Sequence, residues 1–244
     1  MEPGVELSII IPAYNEARRI GQTLETLRQY VEQQGWKVEM LVVNDGSTDN
    51  TCRIVSEYAA SWPVLQLIEN RGNRGKGYGV QNGVRHATGR IVLFTDADLS
   101  APPEEMPKIL DPIRADLVDV TFGSRAIDRS LIGVHQSPFR EFSGIVFNFF
   151  VQFLTGLRYQ DTQCGFKAFR RDEILPVFER QKILGFGFDP EILYIAKKRG
   201  LRLREVPVRW NHVEGTTVRF FKDSLQMFLD LLHIRWNDWR GKYD

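Results

Sequence analysis

Two acidic residues one position apart, Asp96 and Asp98, follow the apolar run 91–95 in the stretch RIVLFTDADLS. In an extended backbone side chains alternate faces, so residues two apart point the same way. The two carboxylates can therefore converge on one hard cation at the carboxyl end of a buried strand. Mg2+ or Mn2+ suits such a pair, since magnesium is usually held by one or two carboxylates plus substrate phosphates. Taken alone, the same residues equally describe a strand end passing through an Asx turn into a helix opened by Pro102 and Pro103. The metal reading needs a nucleotide site elsewhere in the chain.

In an open parallel sheet, ligands bind beyond the carboxyl ends of the strands. The apolar run 6–13, ELSIIIPA, leads to Pro12, Tyr14 and Glu16. Tyr14 can stack on a base, and Glu16 can accept from ribose hydroxyls. The run 37–43 leads to Asp45, Gly46 and Ser47, and Asp45 can accept an N–H from a nucleobase edge. Gly75-Lys76-Gly77 allows close backbone approach, and Lys76 brings positive charge for a phosphate. Each piece alone is also an ordinary turn or loop. Together they describe a nucleoside diphosphate whose phosphates sit on a metal. No GxGxxG follows either of the first two strands, which sets this pattern apart from a dinucleotide fold.

The elements that must position these residues follow from periodicity. Strands are expected at 6–13, 37–43, 64–68 and 91–95. Between them lie a helix with Ile20, Leu24, Leu27 and Val31 on one face and Asn15 as N-cap, a helix capped by Asp49, and a helix that leaves the glycine-rich turn and ends at Gly89. This alternation predicts an α/β fold with a mostly parallel central sheet covered by helices on both faces. The later chain reads as helix 103–114, strand 117–122, loop 123–138, helix 140–157, strand 165–169, helices 172–179 and 189–199, a strand at 201–208 that Pro207 places near an edge, and helix 221–236. Phe221, Leu225, Phe228, Leu229 and Leu232 form the apolar stripe of that last helix. No repeat or linker divides the chain. A single domain over 1–244 is expected, in two halves that meet at about 123, the first carrying the candidate nucleotide-site residues.

Composition sets bounds. The 244 residues are 43% hydrophobic and 26% charged with net charge +1, enough for a full core and without a global field for nucleic acid. Cys52 and Cys164 are too few for a disulfide framework and fit a reducing compartment. Neither a signal peptide nor a membrane-spanning stretch is read. The apolar stretch 142–157, FSGIVFNFFVQFLTGL, and the Trp- and Arg-bearing C-terminal helix are each either core or interfacial. Tryptophan and arginine favour a headgroup region, so peripheral, reversible membrane association at the cytoplasmic face is expected.

The motifs IPAYNE (11–16), VVNDGSTDNT (42–51), NRGKGYG (73–79) and DADLS (96–100) resemble the inverting family-2 glycosyltransferases with the GT-A nucleotide-sugar fold. GSR (123–125), DTQCGFK (161–167), FDPEIL (188–193) and VPVRWNHVEG (206–215) resemble the branch that glycosylates polyprenyl phosphates, nearest the dolichyl-phosphate β-glucosyltransferases. The resemblance runs from about residue 7 to 232. It implies that Asp45 and Glu16 hold base and ribose, that Asp96 and Asp98 bind the metal and donor diphosphate, and that His212 lies near that diphosphate. It further implies that Arg125, with Ser124, Arg140 and Ser143, contacts an acceptor phosphate, and that Asp161 and Gln163 line the reaction site. Two departures stand out. Ser100 occupies a position where mannosyl relatives often place Gln as a metal ligand, and Thr216-Thr217-Val218-Arg219 replaces a Ser-Lys pair, with Arg219 a candidate substitute.

The implied activity is metal-dependent transfer of a sugar, glucose from UDP-glucose, onto a polyprenyl phosphate. GDP-mannose is an alternative donor, because Asp45 suits either base. A hydroxyl acceptor on a glycan is another alternative, which would call on Asp161 or Asp189 as base. A nucleotide-binding module without transfer activity is a third, disfavoured by the joint presence of Lys76, Asp96 and Asp98.

Overall fold

The structure, a computed structural model, describes residues 4–213 and 220–244. Its first part alternates as periodicity requires: β1 (Leu7–Ala13), α1 (Ile20–Gln34), β2 (Val38–Asn44), α2 (Thr51–Ser61), β3 (Leu65–Glu69), α3 (Lys76–His86) and β4 (Ile91–Thr95). β1, β2 and β4 are buried almost throughout because both faces are covered, and the polar Ser8 and Glu39 within them hydrogen-bond each other. Ile9 and Ile11 enter one core with Leu24 and Leu27 of α1, while Ile10 enters the other with Val80 and Val84 of α3.

A 3-10 turn at Pro103–Glu105 then opens α4 (Met106–Arg114). There follow β5 (Val120–Ser124), β6 (Ile132–Val134), α5 (Pro138–Thr155), β7 (Phe166–Arg170), α6 (Arg171–Arg180), α7 (Phe188–Lys198), β8 (Leu203–Pro207), β9 (Trp210–Asn211) and α8 (Phe220–Trp239). Among the described residues the main sheet has seven strands in the order β3-β2-β1-β4-β7-β5-β8. It is mostly parallel, but β7 runs antiparallel to both β4 and β5. Thr95 pairs with Phe166, so the start of β7 lies beside the end of β4. That register delivers residues 161–165 next to Asp96, whose N–H donates to the Gly165 carbonyl at 3.2 Å.

Several expectations are corrected. α3 stops at His86 rather than Gly89, because the Thr88 and Gly89 N–H groups donate to the Glu39 carboxylate. Asn15 does not cap α1; with φ of 55° it accepts the Thr48 N–H, tying the first strand's loop to the second's. β5 begins at Val120 rather than 117, since Asp116 turns the chain at φ of 57° and leaves Leu117 exposed. The 123–138 segment is not all loop: β6 forms there and pairs with β9.

α8, which the sequence leaves open between core and interface, has its expected stripe turned outward. Its core-facing residues are Leu231 and Ile234, whereas Leu225, Leu229 and Leu232 of the expected stripe face outward with Trp236 and Trp239 (75% exposed). Phe228 packs edge-on against Phe150 of α5 at 5.2 Å, and the Phe221 side chain lies outside the described set. On α5, Phe142, Ile145, Phe149 and Phe153 (74% exposed) form a second outward stripe. Periodicity locates a stripe but does not say which side is water. Among the described residues, no helix is long and apolar enough to cross a membrane.

Asp119 closes the far end of the sheet. Its carboxylate accepts from Arg202 N, Nε and Nη2 at 2.9, 3.0 and 2.7 Å, and its carbonyl accepts from Arg170 N. Arg202 holds this carboxyl down at about 2, against an ordinary 3.8. Its proton is thus taken up more readily by the unfolded chain, so the stabilisation is full above about pH 4 and is lost as pH falls through about 2. Asp119→Asn is expected to lower unfolding free energy by roughly 1–2 kcal/mol at pH 7, given the solvent-exposed arginine. The deficit should shrink on acidification, read by urea denaturation at stepped pH.

Candidate active site

The carboxyl ends of β1, β2 and β4 open into a cleft of about 460 Å3. Pro12, Tyr14, Glu16, Asp45, Lys76, Asp96 and Asp98 all line it, so seven residues singled out in four separate motifs meet in one place. Gly46 stands beside this wall at φ of 73°, where an added Cβ would lie 2.5 Å from the Gly72 carbonyl carbon. Only glycine fits the contact between the two loops.

The Asp45 carboxylate organises the glycine-rich loop. It accepts Asn70 Nδ2 at 2.8 Å, Gly75 N at 2.7 Å and Arg74 N at 3.0 Å. It therefore holds the loop that carries Lys76 while facing the cleft. Lys76 Nζ lies 2.6 Å from Asp96 Oδ1. Burial pulls the Lys76 ammonium down, but Asp96, then Asp189 and Asp98, outweigh it and the net shift is upward. Glu16 pairs with Arg19 at 2.7 Å. Its carboxyl is pushed up to about 7, first by burial, with Arg19 opposing and the negative charges of Asp98 and Asp96 adding. Beneath the cleft, fully buried Lys167 donates to Asp189 Oδ1 at 2.5 Å and to the Cys164 carbonyl at 2.6 Å.

The residues fit a divalent cation. Three acids crowd one wall, and the cost of charging Glu16 beside Asp96 and Asp98 is what a cation would relieve. An added Cβ at Gly165 would come within 2.0 Å of Asp96 Oδ2, so glycine there leaves the space the carboxylate occupies. Among the described residues no group of three or more His, Cys, Asp or Glu could hold a metal alone. Two carboxylates suffice for magnesium or manganese that also takes phosphate oxygens and water. Asp98 also makes the Asx-type bond, accepting Ser100 N at 3.0 Å. The Asx-turn reading of the motif thus holds, on a carboxylate pair that would also fit a cation.

A second cleft, of about 490 Å3, lies against α5. Arg125, Arg140, Asp161 and Gln163 line it, together with Ile145 and Phe149 of the outward stripe. Arg125 forms a two-pronged pair with Asp161, Nε to Oδ2 at 2.6 Å and Nη2 to Oδ1 at 2.8 Å, and lies over the Trp210 ring. Burial alone would raise the Asp161 carboxyl, but Arg125 outweighs it and holds the group below the usual carboxylate range. Glu205 pins the loop by accepting Gln160 N and Asp161 N at 2.9 and 2.6 Å.

Other expected residues fall elsewhere. Ser124 is fully buried, and its hydroxyl accepts the Ala126 and Ile127 N–H groups, shaping the turn that presents Arg125 rather than facing a ligand. Ser143 Oγ donates to the Phe139 carbonyl within α5. His212 does not line the first cleft; its ring stacks on Trp210, and its backbone N–H donates to Val134 O. Gly215, Thr216, Thr217, Val218 and Arg219 lie outside the described residues. Sequence reasoning missed Arg19, Phe186, Lys222 and Asp223 in the first cleft and Trp210 in the second. Trp210 falls inside the 206–215 motif but has no role assigned there, and no motif marks Arg19, Phe186, Lys222 or Asp223; the last three reach the cleft only because tertiary packing brings α8 and the 181–187 loop over the strand ends.

Comparison with known proteins agrees with this geometry. The model of the family described as Glycosyl transferase family 2 matches residues 8–175. A dolichyl-phosphate beta-glucosyltransferase of Trichomonas vaginalis is 34% identical over 242 residues, covering 96% of this chain and 74% of that protein. Those of Saccharomyces cerevisiae and Homo sapiens are 34% and 32% identical, covering 94% and 96% of this chain and 74% and 76% of theirs. Among solved structures, glucosyl-3-phosphoglycerate synthase of Mycobacterium tuberculosis, in complex with Mn2+, UDP and glucosyl-3-phosphoglycerate, superposes with a TM-score of 0.67. It is 17% identical, covering 95% of this chain and 78% of the other, and so shares the GT-A fold.

Proposed function

The chain belongs to glycosyl transferase family 2, and on that premise we propose that it transfers glucose from UDP-glucose to dolichyl or a related polyprenyl phosphate, with Mg2+ or Mn2+, at the cytoplasmic face of a membrane. The observation that carries the acceptor is the second cleft. It joins Arg125 and Arg140 to Ile145 and Phe149, which belong to an apolar helix face turned to the outside. A phosphate on a long hydrocarbon chain matches both ends.

Tyr14, Glu16 and Asp45 receive the nucleoside. Lys76 and the Asp96/Asp98 pair face the diphosphate, where a bound cation supplies charge neutralisation of the departing nucleotide. Pro12 and Gly46 shape the wall. The acceptor's demands set the rest. A hydroxyl must lose its proton during attack and benefits from a base. A phosphate monoester has a second pKa of about 6 and is largely dianionic near neutrality. It needs its charge held and aimed, which the planar fork of arginine does well.

The carboxylates near the reaction site support this reading. Asp161 is committed to Arg125 and is a weakened base. Asp189 is buried against Lys167. We assign Asp161 and Gln163 the positioning of Arg125 and the donor. Arg140, which pairs with no carboxylate among the described residues, is the cation best placed to meet the incoming phosphate. A single inverting displacement follows from the family resemblance.

Transfer assays with purified protein test the roles. Asp98→Asn and a chelator should each reduce turnover at least a hundredfold without changing the circular dichroism spectrum. Arg140→Ala should raise the apparent acceptor KM about tenfold while leaving the donor KM within twofold, the loss of one charge-assisted contact. Arg125→Ala should collapse turnover with nucleotide binding intact. If Arg125→Ala instead lost nucleotide affinity and kept that for lipid phosphate, the acceptor site would be misplaced.

Membrane association is read separately. The outward stripes of α5 and α8 should bring the protein down with sedimenting vesicles, and Phe149→Ser with Phe153→Ser should release most of it. Absence of binding to neutral and anionic vesicles alike would exclude a peripheral membrane enzyme.

A further inference from the structure

The first cleft has an imbalance of charge that points to a residue outside every motif. Its acids are Glu16, Asp45, Asp96, Asp98 and Asp223, and its cations are Arg19, Lys76 and Lys222. Arg19 is spent on Glu16, and Lys76 lies on Asp96. Asp45 is engaged with the backbone N–H groups of the glycine-rich loop. Asp223, next to Lys222, has a contact of its own within the protein. Lys222 is exposed at the start of α8, on the wall formed by that helix and Phe186. Among the described residues no carboxylate pairs with it.

A divalent cation and the two aspartates of β4 cancel one another. The diphosphate of a nucleotide sugar, doubly negative, then faces Lys76 and lacks a second counter-charge. We propose that Lys222 supplies it, as a donor-binding residue that α8 brings to this cleft. An ammonium on a flexible stem is suited to this task, since it acts as a mobile point charge rather than a fixed fork. The inference rests on reading this cleft as a nucleotide-sugar site and deepens that reading. It assigns to α8 a part in donor affinity that no strand-end motif announces.

Titration calorimetry with UDP and with GDP in the presence of Mn2+ tests it, together with NMR titration of the corresponding nucleoside. Lys222→Gln should weaken diphosphate binding about tenfold or more, the loss of one charged contact. Lys222→Arg should restore most of it, and nucleoside affinity should not change. Lys222 is exposed, so these variants should fold, which their thermal midpoints will report. Unchanged UDP and GDP affinity in Lys222→Gln would overturn the inference while leaving the nucleotide-sugar reading intact. So would a loss confined to Arg219→Ala. Failure of the unaltered protein to bind either diphosphate would overturn both, and is seen before any variant is compared.

Discussion

Burial of acidic groups side by side at the end of a doubly covered strand is the constraint on which the rest of this structure depends. β4 carries Asp96 and Asp98 out of an apolar core, and β1 brings Glu16 to the same wall. Burial and its two neighbours hold the Glu16 carboxyl near 7. Such a cluster persists because cations are built around it: Lys76 on Asp96, Arg19 on Glu16, and the Lys167–Asp189 pair beneath. A site already strained by negative charge favours a divalent cation and a basic side chain over additional carboxylates. The first cleft is therefore the place where the fold's own electrostatic cost and its proposed chemistry coincide.

The antiparallel strand β7 links this cleft to the second one. Because Phe166 pairs with Thr95, the segment before β7 passes directly beside Asp96 and carries Asp161 to Arg125. Glu205, from β8, fixes that segment by its backbone. The arginine of the second cleft is thus set by a chain of contacts that begins at the acidic strand end. α5 and α8 complete the arrangement from outside. Each turns its most apolar stripe away from the core, which for a helix in water is costly and for one against a bilayer surface is favourable.

Much of this was legible in the residues, for reasons that differ by element. Unbroken apolar runs such as 91–94, fully buried in the structure, announce a strand covered on both faces, and glycine-rich and Asp-Gly-Ser turns announce the loops between. Seven residues from separate motifs converge in one cleft because strand ends of a parallel sheet share an edge. The direction of β7 was not legible, since alternation is the same in either sense. The outward faces of α5 and α8 were not legible either: a stripe such as Leu225, Leu229 and Leu232 looks alike whether it meets core or lipid. Ser124 and His212 sit in suitable motifs, yet their polar atoms or rings are taken up by the turn and by Trp210. Lys222 lies in no motif, and only the packing of α8 over the strand ends reveals it.

The central claim is that the acceptor is a lipid phosphate, held by arginines without a base to activate it. Partition of radiolabel from UDP-[14C]glucose into organic solvent, with dolichyl phosphate and with dolichol compared at equal concentration, tests it most directly. The account predicts label in the organic phase with the phosphate and none above background with the alcohol. Equal transfer to the free alcohol, or label appearing only in water-soluble glycans, would contradict it.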